Sequence, residues 1–355
     1  DKAYQVAVNM DANWQPSRMD VLPKPIENAV DGAVSWNGKV AIDLPYHAGA
    51  RYNVDITGDL KNLSSQLPAP LNKKNGEALP VNVKVAGNLN SFDLTGNAGG
   101  TNHFNSRWLL NRKLTLDRAI WTTDSRTTPP LPEQAGVELN LPPMDGAEWL
   151  ALFQKGVGQN VDQTAQFPQS ITLRTPALTL GGQQWNNLSI VSSPTVNGSK
   201  VEAQGREING SLTMRDNAPW QAAIRYLYYN PTFAASHAQS TSASPLSEAT
   251  RVDFSGWPDL QLRCAECWLW GQKYGRIDGD FAIQGNTLSL SGGLVDTGFG
   301  RLTAAGEWVN KPGEQRTSLK GDIKGNKLDA AANFFGISTP LRGSSFNVNY
   351  DLHWR

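Results

Sequence analysis

Apolar and polar residues alternate with period two through most of the chain. In Phe346-Asn-Val348-Asn-Tyr350-Asp-Leu352-His-Trp354, five apolar side chains fall on one face and four polar ones on the other. Val40-Ala-Ile42-Asp-Leu44, Tyr52-Asn-Val54-Asp-Ile56, Val81-Asn-Val83-Lys-Val85 and Val137-Glu-Leu139-Asn-Leu141 repeat the pattern, as do Phe281-Ala-Ile283 and Leu288-Ser-Leu290. Successive side chains of a strand point to opposite faces, so each segment predicts a strand with one apolar and one wetted side. Asn37-Gly38, Asn75-Gly76, Asn197-Gly198 and Gly285-Asn286 supply turn signals between them. Long helical patterns between the strands are missing, which predicts antiparallel sheet rather than β-α-β units.

Two short helices are expected. Asp145-x-x-Glu148 resembles a capping box, with Trp149, Leu152 and Phe153 sharing the helical face behind it. A second helix over 329–335 stops at Gly336. The small polar residues of 236–250 predict a mobile loop, and the Pro-rich stretches 65–80 and 127–135 interrupt the sheet or cross its edge. The whole of 1–355 is expected to be one continuous section, with approximate blocks at 1–142, 143–255 and 256–355.

An irregularly spaced repeat places Gly between two apolar residues: Ile56-Thr-Gly58-Asp-Leu60, Val85-Ala-Gly87-Asn-Leu89, Ile208-Asn-Gly210-Ser-Leu212, Ile277-Asp-Gly279-Asp-Phe281 and Leu319-Lys-Gly321-Asp-Ile323. All three marked positions face one side, so the apolar face carries a gap. Either the Gly eases twist or marks a bulge, or the gap leaves room for something that is not protein. Coverage sharpens the choice. About fifteen or more amphipathic strands must take their apolar faces out of water, at roughly 25 cal/mol per Å². Two short helices are too little cover. The sheet therefore folds onto itself as a sandwich or barrel, or its concave side holds an apolar ligand. No closed units of about 100 residues stand out, which points to one long curved sheet.

Charge narrows the function classes. Thirty-two Lys and Arg balance 32 Asp and Glu, which argues against a role driven by nucleic-acid phosphates. The chain opens without Met or an apolar leader and stops inside a strand pattern, so it reads as a section of something longer. No window approaches a membrane-spanning run. Cys264-Ala-Glu-Cys267 lacks the β-α-β setting of a redox site, and His47, His103, His237 and His353 are too scattered to complete a zinc site. A structural disulfide and two free thiols remain open. A bridge requires a local turn or bulge, because residues three apart on a straight strand face opposite ways. No nucleophile elbow, carboxylate pair or activated Ser is recognisable, and Gly298-Phe-Gly300 lacks the helix a phosphate cradle needs. Asp43, Asp55, Glu138 and Asp351 occupy wetted slots. No enzyme, cofactor or metal is expected. Of twelve Trp, Trp36, Trp308 and Trp354 occupy apolar-face slots, which suits packing or lining better than carbohydrate stacking.

The order of blocks in the C-terminal third is distinctive. Pro258-Asp-Leu-Gln-Leu262, Trp270-Gly271, Tyr274-Gly275 and Leu302-Thr-Ala-Ala-Gly306-Glu-Trp308 are followed by the unit at 319–323, the helix over 329–335 and the strand ending at Trp354. Earlier, Leu67-Pro-Ala-Pro-Leu71-Asn-Lys73 precedes Ala78-Leu-Pro80 and Val81–Gly87. This succession resembles the AsmA-like proteins of Gram-negative envelopes, most strongly at 60–142 and 258–354. The resemblance implies a long, twisted antiparallel sheet curled into an open hydrophobic groove. It further implies a periplasmic section of an inner-membrane-anchored protein that conducts phospholipid toward the outer membrane, with both membranes reached through parts outside this chain. On that reading acyl chains lie against Tyr52, Val54, Ile56, Leu60, Val81, Val83, Val85, Leu89, Phe281, Ile283, Leu288, Leu290, Leu302, Leu319, Ile323, Phe346, Val348, Tyr350 and Leu352. The competing expectation is a non-lipid binding, adhesion or spacer module whose apolar faces meet in a dry sandwich core.

Overall fold

The computed structural model describes residues 4–16, 24–123, 125–156, 165–232, 254–327 and 345–355, with 330, 332, 333, 338 and 343. The loop at 236–250 lies outside them. Of the helix expected over 329–335, residues 330, 332 and 333 are described, and they are helical. The chain divides into two compact units, Asp1–Ser193 and Pro194–Arg355.

The first unit contains β1 (Tyr4–Trp14), α1 (Lys24–Glu27), β2 (Val30–Gly32), β3 (Val34–Leu44), β4 (Arg51–Asp59), β5 (Leu63–Ser65), β6 (Pro80–Asn88), β7 (Ser91–Ala98), β8 (Asn102–Leu110) and β9 (Leu114–Thr122). It continues with β10 (Gly136–Asn140), β11 (Met144–Asp145), α2 (Gly146–Gly156), β12 (Ala165–Gln166), β13 (Ile171–Leu180) and β14 (Gln183–Thr195). Pairing runs β1–β3–β4–β6–β7–β8–β9 without a parallel step. Beyond β9 the two ends of that strand take different partners, β10 along Arg118–Thr122 and β12 along Leu114–Thr115, both parallel. β13 then runs parallel to β10 and β11, and β14 returns antiparallel.

The second unit is β15 (Gly198–Gln204), β16 (Ile208–Arg215), β17 (Trp220–Tyr229), β18 (Leu260–Leu269), β19 (Gln272–Gln284), β20 (Thr287–Asp296), β21 (Gly300–Lys311), β22 (Glu314–Gly325) and β23 (Phe346–Trp354), paired in chain order. Only β17–β18 is parallel. Both units are therefore all-β and mainly antiparallel, as the alternation predicts, but the sheets are mixed. Parallel neighbours need a crossover of a dozen residues or more, usually a helix. Between β9 and β10 the Pro-rich stretch does that work without a helix among its described residues. Its carbonyls at Pro129, Pro132 and Glu133 accept hydrogen bonds from Asn105 (3.0 Å) and Arg118 (3.1 and 3.0 Å) on the polar side of β8 and β9.

Three of the four expected turns form. Asn37-Gly38 does not: Gly38 lies inside β3, between Met10 and Ile56, with the Trp36 ring over it. The strand continues because Gly leaves that ring its place.

Besides the strands paired above, the described elements include α1, α2, the short ribbon β2–β5 and a 3-10 turn at Leu60–Asn62. The Asp145 carboxylate caps α2, accepting from the amides of Ala147 (3.0 Å) and Glu148 (3.4 Å). The Trp149 indole N–H donates to the Ala69 carbonyl at 2.9 Å, tying α2 to the Pro-rich segment between β5 and β6. Replacing Asp145 by Ala leaves those amides without a side-chain acceptor. It is expected to destabilise α2 by about 1 kcal/mol, read as faster amide exchange confined to its first turn.

Candidate functional site

Cross-strand register decides which side chains share a face. In the first unit Val8, Val40, Val54, Val85 and Leu94 stand directly opposite one another across β1, β3, β4, β6 and β7. The same row continues through Ser106, Ala119, Val137 and Ile171. One residue along, on the other face, the row reads Asn9, Lys39, Asp55, Lys84 and Thr95. The second unit repeats the division. Leu260, Phe281, Leu290, Gly306, Leu319 and Leu352 form one apolar row, and Val295, Leu302, Ile323 and Val348 another. Behind them Asn349 stands opposite Asp322, and Asp351 opposite Lys320.

The apolar rows have little protein over them. Val6, Val8 and Met10 are 43–45% exposed, and Val348 and Leu352 are 50% exposed. Most of the other row residues are half-buried by their neighbours within the sheet. Buried apolar side chains such as Val34, Leu67, Leu178 and Val309 are scattered rather than gathered in an interior layer. A sandwich core within either unit would need a second sheet against this face, and the ribbon β2–β5 is far too small to be one.

Of the residues expected to line the face, Tyr52, Val54, Ile56, Val81, Val83 and Val85 share one side of the first unit. Phe281, Ile283, Leu288, Leu290, Leu302, Leu319, Ile323, Phe346, Val348, Tyr350 and Leu352 share one side of the second. Leu60 and Leu89 do not sit on strands. Leu60 opens the 3-10 turn after β4, and Leu89 occupies the turn between β6 and β7, 68% exposed. The same face also carries Val6, Val8 and Met10 of β1, whose alternation is plain in the sequence. It carries Phe92, Phe104, Trp108 and Trp121 as well, whose pattern is broken by Gly96, Ser106 and a bulge at Arg107/Trp108. These rings pair in parallel, Phe92 with Trp108 at 6.1 Å and Phe104 with Trp121 at 5.6 Å. Trp36, Trp308 and Trp354 lie half-buried on the apolar side.

The glycine gaps are filled by protein. Aromatic residues stand directly across from several of them: Trp36 from Gly58, Phe92 from Gly87, Phe104 from Gly96, Tyr350 from Gly321 and Phe346 from Gly325. A Cβ at Gly87 would lie 2.5 Å from the Phe92 Cβ, and one at Gly96 2.7 Å from the Phe104 ring. Neighbouring backbone comes closer still, to 2.1 Å at Gly306. Glycine thus admits strong twist and a ring laid across the strand, an aromatic rescue of the missing side chain. The alternative of vacant gaps is set aside.

Electrostatics concentrate on the polar side. Asp93 accepts a hydrogen bond from Arg107 at 2.9 Å, which raises the guanidinium's pKa. At the end of β20 the Gly298 amide, helped by Arg301, holds the Asp296 carboxyl below the usual range. On the apolar side burial, then the charge of Asp322, pushes the Tyr350 phenol up, so it remains a neutral donor to the Thr303 carbonyl.

Cys264 and Cys267 are joined, with Cα atoms 6.1 Å apart. Three residue steps on β18, from Cys264 to Cys267, face two on β19, from Ile277 to Gly275. That extra residue is the bulge a bridge requires: it turns both sulfurs to the same side, where they are almost fully buried. Replacing both by Ala removes the link and is expected to cost about 2 kcal/mol, seen as faster amide exchange in β17–β19.

Among the described residues no group of three or more His, Cys, Asp and Glu is placed to hold a metal ion. No described helix is long and apolar enough to cross a membrane. What the described residues build in each unit is a helix-poor sheet with a charged face and an open apolar one. The YhdP protein family model matches residues 1–355. Over 354 residues the chain is 68% identical to the intermembrane phospholipid transporter YhdP of Escherichia coli (strain K12), covering 100% of this chain and 28% of that protein. The chain therefore belongs to the YhdP family of AsmA-like proteins, and spans 28% of the length of that relative. No solved structure gives a significant match.

Proposed function

We propose that this chain is a periplasmic section of an inner-membrane-anchored phospholipid transporter, and that its apolar sheet face is the conducting surface of a groove. The supporting observation is the unbroken apolar row from Val8 to Leu94, exposed at Val8, half-buried beyond it, and backed by Lys39, Asp55 and Lys84 on the other face. The relative's name supplies the cargo. Acyl chains lie against the rows, and headgroups stay in water at the strand ends. Each methylene leaving a bilayer gives up about 0.8 kcal/mol of burial and regains a similar amount against Val, Ile, Leu and Phe side chains. Movement along the rows then needs no bond chemistry and meets only small steps in free energy. Other sections of the full-length protein make the contacts with both membranes.

The test places a photo-crosslinking amino acid at Val83 or Val348 of the full-length protein in intact cells, with Lys84 and Asn349 as opposite-face controls. Phospholipid adducts at the first pair alone support the reading. Equal labelling of all four, or none, favours a dry module and overturns it.

A further inference from the structure

One turn of the first unit sets two exposed cations beside apolar residues. Cations inside the strands face carboxylates: Lys39 and Lys84 stand across from Asp55, Arg107 bonds Asp93, and Arg118 bonds Asp117 at 2.8 Å. Arg112 and Lys113, in the turn between β8 and β9, are exposed and make no ion pair among the described residues. At the opposite strand ends the hairpin turns Gly99-Gly100-Thr101 and Gly181-Gly182 carry no cation, whereas the connection between β4 and β6 carries Lys61, Lys73 and Lys74.

This cation pair adjoins apolar residues on both flanks of the turn. Leu110 and Leu114 form the last cross-strand pair of the apolar face before the turn. The Leu110 amide donates to the Asn90 carbonyl at 2.7 Å, which brings the exposed Leu89 alongside. On the other flank Ala165 pairs with Leu114, and the exposed Phe167 meets Trp108 edge-on at 6.4 Å. Leu89, an outlier as a strand residue, thus belongs to the apolar collar of this turn.

An apolar surface that ends in two unpaired cations complements a molecule whose acyl chain ends in a phosphodiester. We infer that Arg112 and Lys113 bind the phosphate of a phospholipid whose acyl chains lie against Leu110 and Leu114. The inference rests on the lipid-conducting reading above and adds an orientation to it, with the headgroup at this end of the strands. The Arg fork takes two phosphate oxygens and Lys adds a point charge, in a setting where each cation strengthens binding severalfold at low salt.

The test uses the full-length protein with Arg112→Gln and Lys113→Gln together, both exposed turn positions. Binding is measured with dihexanoyl phosphatidylglycerol, uncharged dihexanoylglycerol and inorganic phosphate. The expected result is a loss on the order of tenfold for the phospholipid, with dihexanoylglycerol unchanged and the difference shrinking in high salt. Inorganic phosphate binding as tightly as the phospholipid overturns the lipid assignment. The Val83 crosslink is read in parallel. Adducts at Val83 with unaltered phospholipid binding in the variant overturn the site alone, whereas no adducts in the unsubstituted protein overturn the conducting face and this site with it.

Discussion

Replacing Val83 by Asp in the full-length protein is expected to stop phospholipid passage while leaving the section folded. Val83 stands between Ile56 and Gly96, and the Phe104 ring covers that glycine, so the new carboxylate would enter a continuous apolar row. An acyl chain passing it must strip water from an ionised group, at a cost of several kcal/mol, and each 1.4 kcal/mol slows passage about tenfold. A fall of at least a hundredfold in lipid delivered to the outer membrane follows. The sheet itself loses only about 1 kcal/mol, because Val83 is half-buried with no interior layer above it and its backbone ladder is untouched. Resistance to limited proteolysis checks the fold. Val83→Thr, nearly the same shape without a charge, is expected to conduct, and Lys84→Asn on the opposite face to have no effect. Normal delivery by the Asp variant would place the lipid path elsewhere.

Gly321→Ala is expected to act in the reverse sense, through the fold. A Cβ there would stand 1.8 Å from the Thr303 carbonyl oxygen and 2.7 Å from the Tyr350 hydroxyl. Backbone cannot swing aside as a side chain can, so β21 and β22 must separate or Tyr350 must leave its bond to Thr303. A loss of about 3 kcal/mol follows, or roughly a hundredfold faster amide exchange across β21–β23. Gly49→Ala is the control, since a Cβ there meets nothing within 4 Å. Equal exchange in the two variants would mean that the close approach at Gly321 is relieved without cost.

Much of this was legible beforehand because alternation is a local property. Val81-Asn-Val83-Lys-Val85 places Lys on one side and Val on the other whatever strand lies next to it. Asp145 was readable as a cap for the same reason, since its partners at Ala147 and Glu148 are two and three residues away. The less regular part of the face was harder to see. Phe92, Phe104 and Trp108 join it only because β6, β7 and β8 align Gly87 and Gly96 with rings from other strands. Asn37-Gly38 misled because that dipeptide favours a turn in isolation, whereas pairing with β1 and β4 on both sides holds it extended.

By itself, then, the amino-acid order determined an all-β chain with an apolar and a charged side to its strands, poor in helix and without a recognisable reactive centre. Only the tertiary structure decided which strands are parallel neighbours, that Cys264 and Cys267 meet across a bulge, and that rings and backbone close the glycine gaps. It also decided that, among the described residues, the apolar side of each unit has no second sheet upon it. The physical reason is one of range. Side-chain direction along a strand follows from geometry two residues long, whereas register, crossover and cover depend on residues tens of positions apart. Their pairing is set by the competition among all possible neighbours rather than by any segment alone.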